Sequence, residues 1–318
     1  MRSLGEVCRR GLENVLANWP LVLIRIVEGL ATLLAVVMIL VAAIAPITIA
    51  GLSGASMTEI LESPQALEEL MGRFSPLLIL YLFVVITVAM VIAVLIHAWV
   101  QGGVVGCYVI GDRRAPETGW GREHFRAFTP ELWWGEARRL GWRFFWIYNV
   151  IWGAFSLLLL APLLVILVVM LLLRESPAAI VVGCAGIAGV TLVAILLGIA
   201  TFIWSQLVLI ECAAADLGVL QSIRRSREVL ARKLLPVVMV GAIFFAISMA
   251  VGFVIAGIAF GIGAVGSVPG LDLAFLPIRI LISLFNSLVS TILSCWLLAA
   301  LVAVALSPDV RHAASTHG

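Results

Sequence analysis

Six residues between positions 279 and 294 are the clearest place for chemistry in this sequence. Arg279, Ser283, Asn286, Ser287, Ser290 and Ser294 fall three or four positions apart, with Asn286 and Ser287 adjacent, through an otherwise apolar run. At about 100° per residue, a helix would gather them into one polar stripe. A guanidinium, an amide and four hydroxyls in line could wet one wall of a solute path or hold a lipid headgroup. The same small hydroxyl residues could instead let membrane helices approach and hydrogen-bond, and packing is the favoured of the two readings. Asn286 separates them, because its amide carries more hydrogen-bonding sites than its own helix can satisfy.

Other ionisable groups sit inside apolar runs, where each costs free energy to insert and so points to a role. Arg25 and Glu28 are three apart and can pair on one helix face. Both also lie close enough to Trp19, at a membrane boundary, for their charged heads to reach water, which is the favoured reading. His97 and Gln101 share a face near the end of the second apolar run; a lone His could relay protons, but a haem pair would need a second one in the membrane. The glycines at 183, 186 and 189, and at 257 and 261, read as packing seams, since no lysine or strand-to-helix context makes them phosphate cradles. Cys8, Cys107, Cys184, Cys212 and Cys295 have neither CxxC spacing nor a matching set of His. They predict no disulfide framework and no metal site. No Ser–His–Asp or paired-carboxylate set is present, so no catalytic residue and no cofactor is expected.

The elements that would carry these residues follow from composition. Of 318 residues, 63% are hydrophobic and 12% charged, about half the charge of a soluble domain. The net charge of +2 argues against nucleic acid as a partner. About 20 apolar residues cross a bilayer, and six runs suffice: about 21–52, 76–110, 144–173, 178–210, 234–265 and 276–306. Backbone polar groups in lipid must bond within their own segment, so the spans are helices. The fold class is an all-α, polytopic transmembrane bundle. Residues 1–18 precede a six-span domain over 19–307, and 308–318 read as a disordered tail. The first run is too long for a signal-peptide core and is expected to remain as the first span. Several runs exceed the bilayer and must tilt or kink, with Pro46, Pro162 and Pro277 as natural kink points.

Orientation comes from the loops. Sixteen Arg and Lys lie in the N-terminal segment, the second and fourth connections and the tail, against two (Arg73 and Arg174) in the first, third and fifth. That asymmetry predicts both termini in the cytoplasm, in a bacterial inner membrane.

Three amphipathic helices are predicted on the basic side. Leu4, Val7, Cys8, Leu12, Val15 and Leu16 make an apolar stripe opposite Glu6, Arg9, Arg10 and Glu13. Thr129-Pro130-Glu131 opens the second as N-cap, first-turn proline and dipole-matching acid, with Trp133, Ala137, Leu140 and Phe144 on one face. The third covers 216–233, with Ile223 and Leu230 opposite Arg225 and Arg232. Such helices are expected to lie in the interface on anionic lipid, with Arg224, Arg225, Arg227, Arg232 and Lys233 as candidate headgroup contacts. The runs RRGLENVLANWPLV from Arg9 and RRSREVLARKLLPVV from Arg224 echo each other, as related helix-plus-hairpin units or by chance would.

The segment LVLIECAAADLGVLQSIRRSREVLARKLLPVVMV, residues 207–240, resembles a part of a bacterial six-span family. That family includes the membrane domain attached to some glycerophosphodiester phosphodiesterases, and related stand-alone proteins. Glu211, Arg225 and Ser226 occupy its pattern of a span-end acid followed by a basic helix, and FRAF at 125–128 precedes the third span in a similar layout. The chain has no phosphodiesterase domain, so the resemblance implies a fold and a location alone. The expected role is a non-enzymatic accessory, scaffold or regulatory subunit of a membrane process, with anionic lipids and another membrane protein as partners. The alternative is a transporter or lipid-handling protein that uses the stripe of the sixth span.

Overall fold

A computed structural model of the protein describes residues 2–51, 76–118, 120–173, 176, 178–266 and 272–308. It is a helical bundle. Helix α1 (Leu4–Ala17) is followed by α2 (Pro20–Gly51), α3 (Pro76–Arg114), a single 3-10 turn (Arg122–Phe125), α4 (Pro130–Leu172), α5 (Ala178–Ala215), α6 (Val219–Gly266) and α7 (Asp272–Ala305). Six of the seven α-helices, α2 to α7, are long and apolar enough to cross a membrane. The protein is therefore an integral membrane protein with several spans.

Two of the predicted interfacial helices do not end where the spans begin. Residues 130–143 run without interruption into the third span, giving α4 its 43 residues. The basic helix likewise joins the fifth span as α6, whose 48 residues extend about 72 Å at 1.5 Å per residue. That is more than twice the roughly 30 Å of a hydrocarbon core. One break interrupts α6, at Lys233 (φ −119°, ψ 25°). Pro236 explains it: its ring nitrogen cannot donate to the carbonyl of residue 232 and its ring crowds that group. Helices α4 and α7 continue through Pro162 and Pro277, two expected kink points.

The chain forms two compact units, one of residues 1–26 with 98–318 and one of residues 27–97. In the larger unit the core sits at the basic end. Val104, Val105 and Tyr108 of α3, Leu140 and Phe144 of α4, Leu207 to Ile210 of α5, and Ala300 to Ala303 of α7 are fully buried there. Farther along, α4 and α5 turn leucines such as Leu157, Leu172, Leu192 and Leu196 outward, which suits segments surrounded by acyl chains. Close backbone approach builds this core. A Cβ on Gly102 would meet Leu140, and one on Gly103 would meet the Trp133 ring, so α4 lies directly on α3. The expected seam at 183–189 is partial: Gly183 and Gly186 face Met170 and Ile166 of α4, whereas Gly189, Gly257 and Gly261 have nothing within 4 Å.

Helix α1 departs most from expectation. It is part of the core rather than a raft on lipid. A Cβ on Gly11 would stand 2.7 Å from the Ala300 backbone nitrogen, so α1 crosses α7 at backbone contact. Arg10, expected on the outer polar face, is completely buried. Its guanidinium donates to Asp112 Oδ1 at 3.0 Å and to the backbone oxygens of Pro116 at 2.8 Å and Asp112 at 3.1 Å. Trp120 and Phe125 stack near it, at 5.4 and 5.0 Å from ring centroid to guanidinium carbon. Burial of the guanidinium is tolerated because a carboxylate and backbone oxygens accept from it and two rings lie beside it.

The unit of residues 27–97 contains a half-buried ionisable pair. Glu28, expected to reach water with its charged head, is 8% exposed, and its Oε1 lies 2.6 Å from His97 Nδ1.

Candidate functional site: a cavity among four spans

The stripe on α7 faces a hollow. Between α4, α5, α6 and α7 lies a cavity of about 820 Å3 that takes in Asn286, Ser290 and Ser294. Its remaining lining is apolar, with Phe155 and Leu163 from α4, Ala194 and Phe202 from α5, and Phe244 and Val251 from α6. Thr191 and Ser248 add hydroxyls opposite the stripe. Arg279, Ser283 and Ser287 are exposed and lie outside the lining. The stripe is thus divided: three of its members belong to a shared hollow and three do not.

Asn286, the residue that separates a path from packing, is exposed. Its neighbours differ in how they satisfy themselves. Thr291 Oγ1 donates to the Ser287 carbonyl at 2.8 Å, the back-bonding that hydroxyls make to their own helix. Most of the side chains around the cavity are hydrocarbon. A few polar groups on an apolar wall is the usual make-up of a site for an amphipathic small molecule, and the volume falls within the common range of about 300–1,000 Å3.

The floor of the cavity is the basic-end core. Phe244 of α6 meets Trp296 of α7 edge-on, with centroids 4.8 Å apart. Trp296 Nε1 in turn donates to the Cys8 carbonyl of α1 at 2.8 Å. A Cβ on Gly241 would reach 2.6 Å from Ile203 Cδ1, closing the floor between α5 and α6. Helix α1 thus supports the site from beneath. From Asn286 to Leu297 the lining extends along α7 for about 16 Å, roughly half of a 30 Å hydrocarbon core.

The five basic residues proposed as headgroup contacts separate on inspection. Lys233 is 5% exposed, and its ammonium donates to the backbone oxygens of Val304, Ala305 and Ser307 at 3.2, 3.0 and 2.7 Å. It caps the C-terminal end of α7, where unsatisfied carbonyls and the helix dipole favour a cation, and so is no headgroup contact. Arg225 Nε donates to Glu211 at 2.8 Å, and Arg232 reaches Glu228 at 3.4 Å. Arg227 lies over the Trp204 ring at 5.7 Å, while Trp204 Nε1 donates to Ser226 Oγ at 3.1 Å. Arg224 is exposed. Glu211, Arg225 and Ser226, which the resemblance singled out, therefore meet at one joint between α5 and α6. The buried face of the α6 start is Ser222, Ser226 and Lys233, one step round from the expected Ile223 and Leu230.

Acids organise the rest of the basic end. Asp216, at φ 53°, turns the chain from α5 into α6, a left-handed position that Asp tolerates better than most residues. Its carboxylate accepts from Arg143 at 2.7 Å and Arg139 at 2.6 Å, and Arg143 first, then Arg139, holds it below the usual carboxylate range. Glu117 is lowered likewise by its hydrogen bond from Arg2. Two asparagines that the sequence reading passed over tie α1 to the connection before α4. Asn14 Nδ2 donates to the Tyr108 carbonyl at 2.9 Å, and Asn18 Oδ1 accepts from the Ala127 and Phe128 amides at 2.9 and 2.8 Å. Their i, i+4 spacing on the inner face of an amphipathic helix is the signal that could have found them. In the second span, Gln101 Nε2 donates to Gln206 Oε1 at 3.0 Å.

Among the described residues no three of His, Cys, Asp and Glu come close enough to hold a metal ion, and the five cysteines are free thiols. No family model matches the chain, and neither a curated protein nor a solved structure does.

Proposed function

We propose that this chain is a lipid-handling protein of a bacterial inner membrane, with both termini in the cytoplasm, that receives an acyl chain in the cavity between α4 and α7. The cavity carries this reading. Its apolar walls suit hydrocarbon, its depth along α7 suits one leaflet, and Asn286, Ser290 and Ser294 offer hydrogen bonds to the ester region of a lipid. The cavity is also the reason for preferring this role to that of an accessory subunit. Because the sequence holds no catalytic set, the role is binding or movement of lipid rather than its chemical conversion. The sixteen-to-two distribution of basic residues supports the orientation. The resemblance to the membrane domain of some glycerophosphodiester phosphodiesterases agrees with a lipid-rich setting and adds no substrate.

A phospholipid with a diazirine in its acyl chain tests the proposal. Reconstituted protein, irradiated and digested, is expected to carry label at the cavity-lining parts of α5 and α7. Ala194→Trp, which fills the cavity, is expected to lower that labelling several-fold. Label spread evenly over outward leucines such as Leu157 and Leu172, and unchanged by Ala194→Trp, overturns it.

A further inference from the structure

The structure assigns a second site, away from the cavity: the hollow of Trp19, Arg122 and Arg126 is a phosphate-binding site at the membrane surface. The hollow has a volume of about 420 Å3 and lies where α1 gives way to α2, lined by Trp19, Pro20, Arg122, Glu123, Arg126 and Phe128 among others.

Its construction begins with Asn18. The Asn18 amide nitrogen donates to the carbonyls of Asn14 and Val15, ending α1. Its side chain, fully buried, accepts from the Ala127 and Phe128 amides and donates to the Phe125 carbonyl at 2.8 Å. One side chain thus fixes the 125–128 segment beside the α1–α2 joint. The 3-10 turn Arg122–Phe125 is anchored by Phe125, which is fully buried. Arg122 and Arg126 consequently flank the hollow from a connection that is held at both levels.

The chemistry of the two arginines differs from that of their neighbours. At this end of the bundle Arg2, Arg10, Arg113, Arg139, Arg143 and Arg225 all donate to carboxylates or backbone carbonyls. Arg122 and Arg126 are exposed and their guanidinium groups meet no acceptor among the described residues; for Arg126 only the main chain is engaged, its carbonyl accepting from Arg114 Nη1 at 3.3 Å. Glu123 is the one acid in the lining. Its carboxylate is directed to His124 Nδ1 at 3.3 Å and is 75% exposed, so the hollow keeps a positive excess. Two planar donor forks around a small volume match the oxygens of a phosphate, which accept bidentate hydrogen bonds.

Trp19 places the hollow. It is 54% exposed and immediately precedes the first residue of the first span, Pro20. Indole rings in that position sit at headgroup depth. The ligand is therefore a phosphate group, on an anionic phospholipid or free in solution. This inference stands without the acyl-chain reading of the cavity, since it uses neither its residues nor its helices α4 to α7.

The test uses the full chain purified in a zwitterionic detergent, with bound lipid counted by native mass spectrometry. Phosphatidylglycerol is titrated into the wild-type protein, into Arg122→Gln/Arg126→Gln and into Glu123→Gln, and phosphatidylcholine serves as the zwitterionic comparison. The expected result is preferential retention of phosphatidylglycerol, weakened on the order of thirtyfold in the double variant, at about fivefold per cation. Glu123→Gln is expected to tighten it by several-fold. Competition with inorganic phosphate distinguishes the sources: no displacement at tens of millimolar identifies the lipid headgroup, and displacement at low millimolar identifies free phosphate. Both side chains are exposed and their guanidinium groups meet no acceptor among the described residues, so the thermal unfolding midpoint of the double variant is expected to equal that of the wild type. Phosphatidylglycerol retained equally by all three proteins overturns the assignment, as does equal retention of phosphatidylcholine.

Discussion

Arg10 shows how little a residue type says about its surroundings. In the sequence it belongs to a pair of arginines on the charged side of an amphipathic helix, the usual position for contact with water or headgroups. In the structure it is fully buried, beside two aromatic rings and bonded to Asp112. Replacing Arg10 removes one of two cations on the buried Asp112, since Arg2 also donates to it at 3.1 Å, so the cost falls below the roughly 3–5 kcal/mol of a fully stranded buried charge. Arg10→Met is still expected to lower the thermal unfolding midpoint of the detergent-solubilised protein. Arg9→Met, one position away and exposed, is expected to change it little. Equal midpoints for the two variants would remove the burial of Arg10 as the reason for its place. Asn18 makes the same point with a neutral group: its side chain joins three backbone groups that lie more than 100 positions away.

At the scale of elements, the amphipathic helices of the basic end are protein core. Ala137, Leu140 and Phe144 share a face, as their spacing requires, but that face rests on α3 instead of lipid. Helix α1 rests on α7 in the same way, with Gly11 at the crossing. Any Cβ there would meet backbone, which cannot rotate away, so the helices must separate. Gly11→Ala is expected to destabilise by about 1–3 kcal/mol. Gly5→Ala, with open space around it, is expected to be neutral or slightly stabilising through helix propensity. Thermal midpoints of the two single variants check this directly, and a tolerated Gly11→Ala would show that α1 is loosely held. Because Trp296 links α1 to Phe244 and the cavity floor, loosening α1 should also be felt at the site.

The larger unit, residues 1–26 with 98–318, is tightly packed at its basic end and more open along its spans, with the cavity beside that core. Its proposed orientation rests on charge, and fusions of a reporter that is active on one side of the membrane test it. Fusions at Ser63 and Gly270 are expected outside, and fusions at Thr118 and His317 inside. Of these positions Thr118 lies among the described residues and the other three do not. A cytoplasmic signal at Ser63 would invert the arrangement and place the phosphate-binding hollow on the opposite surface.

By itself the sequence determined the number of spans, because a bilayer demands about 20 apolar residues per crossing and leaves no other use for such runs. It also determined local starts such as the Thr129 N-cap, whose Oγ accepts from the Leu132 amide at 3.2 Å, because capping involves neighbours three residues away. Glu211 and Arg225 were legible as members of one motif for a related reason, since the joint between α5 and α6 is short, but their ion pair was not. What lies opposite a helix face could not be read in this way. Lipid and the inside of a protein are both apolar, so an amphipathic stripe fits either, and a buried arginine looks like an exposed one until its acceptors arrive from distant positions. The division of the α7 stripe and the apolar cavity depend on where four helices meet, and the hollow at Trp19 on where two segments about 100 residues apart meet. Only the tertiary structure decided these, because hydrophobic burial is non-directional and does not record which surface will cover it.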